Sequence, residues 1–479
     1  REQEALFLAR QWFPYWDSEK QELNCGQEEG LMFQVLDKGV DTLLAFGEVQ
    51  CTRRFSNLNI GRRVRMSVGI SVSRNLLNLN IATQDVPAQE LLDILKSYRQ
   101  KKRYYRLKSG DFLNLDEEGA LQTLAEMAQA LRMGPKELLK GNVKLPLYRA
   151  LYLDKLLEKN EEIYSSRDSY FREMVKNFKT VGDADFEEPP SLRDIMRGYQ
   201  RNGYKWLRTL EAYGLGGILA DDMGLGKTLQ VLSVLLSARL EGKEGTALVV
   251  APASLVYNWG EEIRVYTPQL TYCFITGGQE ERREKLSHYR EYDVVVTSYD
   301  LLKRDMENYE DKEFSYQIID EAQYIKNHTT AASKAVKAVK SRTRYALTGT
   351  PIENRLSELW SIFDFLIPGY LYGYDVFRSE FEAPIVRNED QKALERLQRM
   401  TAPFILRRMK ESVLKDLPEK LEENRYVKFE SEQQKLYDAQ VVNMRQRIVM
   451  QDAQEFQRNK IQILAELMRL RQICCDPGL

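Results

Sequence analysis

Between residues 216 and 350 five short apolar runs recur: "GGILAD" (216–221), "TALVVAP" (246–252), "DVVVTS" (293–298), "YQIIDEAQ" (316–323) and "RYALTGT" (344–350). Helical stretches such as "TLQVLSVLLSARLEGK" (228–243) separate most of them. Runs this short and this uniformly apolar read as strands covered on both faces, and their alternation with helices implies a parallel sheet wrapped on two sides. In such a sheet ligands bind beyond the carboxyl ends of the strands. The polar residues that end the runs, Asp221, Pro252, Ser298, Asp320 and Thr348, are therefore expected along one edge.

One of those ends is "DDMGLGKT" (221–228), which follows a strand and opens a helix, the setting a phosphate-binding loop needs. Gly224 and Gly226 leave room for backbone N–H groups to curl around phosphate oxygens, Lys227 can reach the β- and γ-phosphates, and Thr228 can ligate Mg²⁺. The helix N-terminus favours an anion. The pattern departs from the usual G-x-x-x-x-G-K-[ST] at its first position, where Asp221 replaces glycine. A second end, "IIDEAQ", closes an apolar run with two carboxylates. Asp320 can hold Mg²⁺ and Glu321 can orient and deprotonate water, the two roles phosphoryl transfer to water requires beside a phosphate loop. Upstream, Gln200 in "MRGYQRNGYKWL" (196–207) offers an amide that can pair with the N6/N7 edge of adenine. In "ALTGTPIEN" (346–354) the hydroxyls of Thr348 and Thr350 stand at a strand end, where they could sense the γ-phosphate. Taken singly, the glutamine and the threonines are also what a solvated helix and a strand-to-turn junction would carry.

Seventy Lys and Arg against 71 Asp and Glu leave no net charge to point at a polyanion, so any basic face must be local. No apolar run approaches the roughly 18 residues a membrane span needs. Five scattered cysteines with no C-x-x-C pair read as reduced thiols of a cytoplasm-like compartment. The two histidines, His288 and His328, leave little material for a zinc site and read as surface positions in polar surroundings.

The first 180 residues read differently. "RVRMSVGISVS" (62–73) alternates as a half-buried strand does, "RYYRLKSGDFLNL" (103–115) reads as a hairpin turning near Ser109-Gly110, and helical patterns follow. "KKRYYRLK" (101–108) packs five basic and two aromatic residues into eight, either an accessory nucleic-acid surface or a solvated strand face. "TVGDADFEEPPS" (180–191) has linker chemistry. The expected division is an accessory α+β domain over 1–188, an α/β lobe over 189–420 with helices inserted after 354, and a helical segment over 421–479.

Together these stretches resemble the motor core of helicase superfamily 2, and within it the Swi/Snf-type ATPases. "ILADDMGLGKTLQ", "APASLVYNWGEE", "VVVTSYDLL", "DEAQYIKN", "LTGTPIENRLSELWSIFDFLIPGYL", "PFILRRMKESVLKDLPEK" (403–420) and "LRQICCDPGL" (470–479) carry the resemblance, in order. Asp221 in place of the first glycine is a feature of that branch. Residues 1–180 resemble, more loosely, the helicase-associated region of bacterial members.

The resemblance implies a RecA-like doubly wound parallel sheet with inserted helices. It also implies ATP and Mg²⁺ as ligand and metal, and duplex DNA as the track of a monomeric, cytoplasmic, nucleoid-associated translocase that remodels protein–DNA complexes. Nucleotide contacts are implied at Gln200, Met223, Gly224, Leu225, Gly226, Lys227, Thr228 and Leu229, catalysis at Lys227, Asp320 and Glu321, and metal binding at Thr228 and Asp320. Coupling is implied at Thr348, Gly349 and Thr350, and DNA contacts at Ser254, Asn258, Trp259, Thr297, Ser298, Lys326, Arg407 and Arg408, the last two serving either DNA or the bracing of two lobes. Residues 1–180 could receive a protein partner. No second set of strand–helix units follows residue 420, so a second lobe with its arginines is expected elsewhere. The chain alone is then expected to bind nucleotide weakly and hydrolyse little. Two other readings compete: a nucleotide-sensing module without turnover, and a strand-separating or RNA helicase. The four intact residues Lys227, Thr228, Asp320 and Glu321 argue against the first, and the inserted helices against the second.

Overall fold

Seven parallel strands form the central sheet of the computed structural model. In chain order they are β5 (Gly217–Leu219), β6 (Ala247–Ala251), β7 (Tyr272–Phe274), β8 (Val294–Ser298), β9 (Glu313–Ile319), β10 (Lys340–Leu347) and β11 (Ile405–Leu406). Across the sheet they run β7-β8-β6-β9-β10-β5-β11, every pair parallel. Residues 2–26, 28–56, 58, 64–73, 76–83, 86–115, 119–158, 163–180, 185–349, 355–413, 423, 426–449 and 460–476 are described.

The five runs read as strands are five of the seven, and their carboxyl ends share one edge as expected. β6 and β8 are buried at every residue, which is what a sheet covered on both faces requires. This is the RecA-like doubly wound fold. The order also fixes the site: β10 lies between β5 and β9, so the ends of three adjacent strands bring together the glycine-rich loop, Thr348 and the acidic pair. Backbone bonds carry this alignment past the strands, from Asp320 N to Val250 O (2.8 Å) and from Thr348 N to Leu219 O (3.2 Å).

The amino-terminal part has its own four-stranded sheet, made of β1 (Met66–Ser73), β2 (Leu76–Thr83), β3 (Val143–Pro146) and β4 (Ile163–Arg167) in the order β3-β2-β1-β4. Met66, Val68 and Ile70 alternate into its core, as the sequence pattern dictates. In the basic hairpin, strands Tyr104–Arg106 and Phe112–Asn114 pair antiparallel. Tyr104 stacks on Phe33 with ring centroids 4.8 Å apart, so its aromatic face is spent on packing, while Lys101, Lys102, Arg103, Arg106 and Lys108 are exposed.

Both sheets belong to one compact unit, Arg1–Val413. Helices α1 (Gly119–Leu131) and α2 (Ala150–Glu158) of the accessory part meet the lobe. Arg149, just before α2, lies 5.3, 5.2 and 5.0 Å from the ring centres of Tyr148, Tyr370 and Tyr372. Gln129 donates to Glu380 (2.7 Å), and the Tyr372 hydroxyl donates to Ala130 O. An arginine enclosed by aromatic faces keeps its charge while losing water, a geometry that favours close docking. His328, expected in polar surroundings, instead sits 4.2 Å from the Tyr374 ring and 5.2 Å from Trp360.

The second unit, Leu414–Leu479, contains α8 (Ser431–Val449) and α9 (Lys460–Cys475), joined by a Gln433 amide that donates to Ile473 O (2.7 Å). No helix among the described residues is long and apolar enough to cross a membrane.

Candidate nucleotide site

The loop after β5 turns because two of its residues lack a Cβ. Gly224 and Gly226 have φ of +84° and +70°, conformations an L side chain resists. Gly226 opens α4 (Lys227–Leu240), and a Cβ there would lie 2.4 Å from Gln200 Nε2. Leu225 is fully buried and pins the loop, whereas Met223 is exposed and Met223 Cγ would lie 3.4 Å from a Cβ on Gly349. Thr228 stands half-buried in the first turn of α4, and Leu229 is buried beside it. The Lys227 ammonium donates to Asp221 O (2.8 Å). Burial holds it below the ordinary lysine range, opposed in falling order by the carboxylates of Glu321, Asp221, Asp320 and Asp222.

Asp221, where a glycine is usual, has no exposed surface. It accepts from Arg408 Nε (2.9 Å), from the Arg408 backbone N–H (3.1 Å), from Gln230 Nε2 (3.1 Å) and from Arg408 Nη2. Arg408 Nη2 also reaches Gln230 Oε1 (2.7 Å), and the guanidinium lies 5.3 Å from the Tyr199 ring centre. Arg408 follows β11, which is zipped along β5 and the loop by bonds from Ala220 N to Leu406 O (2.7 Å), Asp222 N to Arg408 O (3.1 Å) and Lys410 N to Asp222 Oδ2 (3.0 Å). In this structure the Arg408 guanidinium is committed to a buried carboxylate. The same zipper brings Lys410 Nζ to 3.4 Å from where a Cβ of Gly224 would stand, a cation at the loop that the sequence reading missed.

At the end of β9, Asp320 is half-buried and accepts from Trp259 Nε1 (3.0 Å) and the Glu321 N–H (2.9 Å). Burial pushes its carboxyl above the ordinary range, while the Trp259 bond pulls it down. Glu321 has φ +51° and ψ +61°, a left-handed conformation that costs a residue with a Cβ of order 1 kcal/mol and marks a tightly constrained turn. Gln323 Nε2 holds Glu321 Oε2 (2.8 Å), and Thr348 Oγ1 donates to Gln323 Oε1 (3.2 Å). The acidic residue and the threonine of the neighbouring strand are thus joined through one amide. Thr350 lies outside the described residues.

Among the described residues no group of three or more His, Cys, Asp or Glu side chains could hold a metal alone. Mg²⁺ is usually held by one or two protein oxygens plus the phosphates of a bound nucleotide. Thr228 and Asp320 fit that donor set, and the cradle at Gly224 and Gly226 fits the phosphates. Gln200 is nearby but differently employed: its Oε1 accepts from Arg197 N (2.9 Å) and its Nε2 donates to Leu225 O (3.1 Å). In this structure one end of the amide caps its own helix and the other supports the loop.

Asp320 accepts two hydrogen bonds, yet burial still raises its carboxyl pKa. Its raised pKa means the folded state binds the proton more tightly than the unfolded chain. The resulting cost is present above the folded pKa and fades as pH falls below the ordinary carboxylate value. Asp320→Asn is expected to raise the nucleotide-free melting temperature by about 1–2 °C at neutral pH, with a smaller gain in mild acid, while removing Mg²⁺-dependent nucleotide binding. Thermal scans at the two pH values check the sign.

Of the residues expected to meet nucleic acid, Ser254, Asn258, Lys326 and Arg407 are exposed. Three others are buried. Trp259 is 2% exposed and bonded to Asp320; Thr297 has no exposed surface and donates to Ile275 O (3.3 Å); Ser298 caps a helix by accepting from Leu301 N (3.3 Å). Tyr257, 60% exposed beside Asn258, was not foreseen.

A family model described as "SNF2-related domain" matches residues 199–479, and one described as "Bacterial SNF2 helicase associated" matches residues 4–189. The chain is 40% identical over 294 residues to the Bacillus subtilis protein named "Putative ATP-dependent helicase/translocase YwqA", covering 60% of this chain and 32% of that one. It is 35% identical over 345 residues to the TATA-binding protein-associated factor MOT1 of Saccharomyces cerevisiae, covering 67% of this chain and 18% of that one. It therefore spans a third or less of the length of these relatives. A solved SWI2/SNF2 ATPase core from Sulfolobus solfataricus in complex with dsDNA is 41% identical, with 58% of this chain and 57% of that chain covered and a TM-score of 0.43. With the first model matching over more than half of its length, the chain belongs to the SNF2-related family.

Proposed function

We propose that this chain is the nucleotide-binding lobe of an ATP-driven motor that tracks along duplex DNA and remodels protein–DNA complexes. The observation that carries the reading is one sheet edge on which a glycine cradle with its lysine, a threonine and an acidic pair end three adjacent strands. Gly224, Gly226 and Lys227 receive the phosphates, flanked by Met223, Leu225 and Leu229, with Gln200 shaping the loop. Mg²⁺, held by Thr228 and Asp320, offsets phosphate charge when bound. Glu321, fixed by Gln323, orients the attacking water and takes its proton. Thr348, through Gln323, and with it Gly349 and Thr350, reports the state of the γ-phosphate to the rest of the lobe.

Duplex DNA lies along the exposed Ser254, Asn258, Lys326 and Arg407 and is held by its backbone, so binding is salt-sensitive and tolerant of sequence. Residues 1–188, 189–420 and 421–479 are the working divisions, and residues 1–180 offer a surface to a protein partner. The chain acts as a monomer in the cytoplasm, close to DNA. Arg408 is spent on Asp221, so charge on the transferring phosphoryl needs arginines from another lobe, and the chain alone binds ATP weakly and turns it over little.

The test is ATP binding and turnover by this chain, with and without duplex DNA, single strands or RNA, beside Glu321→Gln. Expected are Mg²⁺-dependent binding in both proteins, turnover near that of the variant, and a preference for duplex that weakens with salt. Absence of Mg²⁺-dependent nucleotide binding would overturn the reading.

A further inference from the structure

Trp259 lies on α5 (Val256–Tyr266), where Val256, Trp259, Gly260 and Ile263 form the buried face at helical spacing. Its indole N–H is aimed at Asp320 Oδ2 (3.0 Å) across 61 residues of sequence. The helix can approach this closely because Gly260 has no side chain: a Cβ there would lie 2.3 Å from Phe274 Cζ on β7. A buried tryptophan needs an acceptor for its one donor, and a phenylalanine would satisfy the same apolar contacts without one. The N–H is thus the part of this side chain that packing does not explain. Asp320 Oδ1 is fixed by the Glu321 N–H, so the two bonds together set both oxygens of the carboxylate.

We infer that Trp259 is a positioning residue for the Mg²⁺-binding carboxylate. Its N–H holds Asp320 in the rotamer that offers its free lone pairs toward the phosphate loop, so the metal meets a pre-oriented ligand. The residue before it, Asn258, and Tyr257 are exposed on the same helix, so α5 carries both an outer surface and the bond to Asp320. The inference rests on the proposed role of Asp320. Outer partners of metal ligands typically contribute about 10- to 100-fold in metal affinity.

The test uses Trp259→Phe, which keeps an aromatic ring and removes the donor. Binding of a fluorescent ATP analogue, excited at its own label, is titrated against Mg²⁺ and measured again in chelator. Expected is a rise of roughly 10-fold or more in the Mg²⁺ concentration needed, with metal-free nucleotide affinity unchanged. In an Asp320→Asn background the tryptophan change should have no further effect, because the carboxylate it orients is gone. Equal loss of metal-free and Mg²⁺-dependent binding would mean that the ring acts only by packing and would overturn the inference. An unchanged Mg²⁺ requirement would overturn it as well, leaving the role of Asp320 intact. Wild-type binding indifferent to Mg²⁺ would remove both.

Discussion

Asp221→Gly, which writes the missing glycine of an ordinary phosphate loop into this chain, is expected to damage the protein rather than repair it. Asp221 has no exposed surface, and the Arg408 guanidinium that binds it is 13% exposed. Removing one member of a buried ion pair leaves the other charge without a partner, at a cost of about 3–5 kcal/mol. Over a compact unit of 413 residues that corresponds to a fall of about 5 °C in melting temperature. Gln230 loses one of its two acceptors at the same time, and the three bonds that zip β11 along the loop lose their anchor. Nucleotide affinity should fall with stability, because the loop carrying Gly224 and Gly226 is held from that side. The reciprocal change, Arg408→Met, should cost a similar amount. Asp221→Leu with Arg408→Met should recover most of it, since an apolar pair replaces a buried ionic one at little expense. A single Asp221→Gly protein that melts with wild type and binds ATP as tightly would show that the pair is incidental.

That pair also shows where the sequence stops being legible. The five inner strands are plain because each carries a short apolar run, and two of them are buried at every residue. The outermost strands β7 and β11 are not: three half-buried residues in one and two in the other leave no run to recognise. Lys227, Asp320 and Glu321 were legible because strand ends on one sheet edge must meet. Arg408 was not, since its partner is 187 residues away, and only the demand of a buried carboxylate for a counter-charge hints at it. At Trp259 two sequence signals compete. The spacing of Val256, Trp259, Gly260 and Ile263 marks an inward face, and that signal outweighs proximity to Asn258. Thr297 and Ser298 end a strand buried throughout, so their hydroxyls had to find acceptors or donors inside the protein. The Tyr370 and Tyr372 rings around Arg149 join segments more than 200 residues apart, which no local pattern encodes.

Lys227→Met should behave in the opposite way to Asp221→Gly, losing the ligand and keeping the fold. The two cations flank the same loop, but their surroundings differ. Arg408 is matched by a buried carboxylate, whereas burial is the largest influence on Lys227 and pulls its pKa down despite four carboxylates nearby. For a lysine whose folded pKa is lowered, the charged form is disfavoured by folding. That cost is present below the folded pKa and disappears above the unfolded value. A neutral side chain of similar length removes it, so the variant should melt at or above wild type at neutral pH. ATP, by contrast, loses a half-buried cation that also faces Asp320 and Glu321. A charge-assisted contact of this kind is worth about 2–4 kcal/mol, so affinity should drop roughly 30- to 1,000-fold. Calorimetric titration with Mg²⁺-ATP beside a thermal scan separates the two effects. If Lys227→Met melts as early as Asp221→Gly, the lysine braces the loop through Asp221 O, and its role in binding phosphate is secondary.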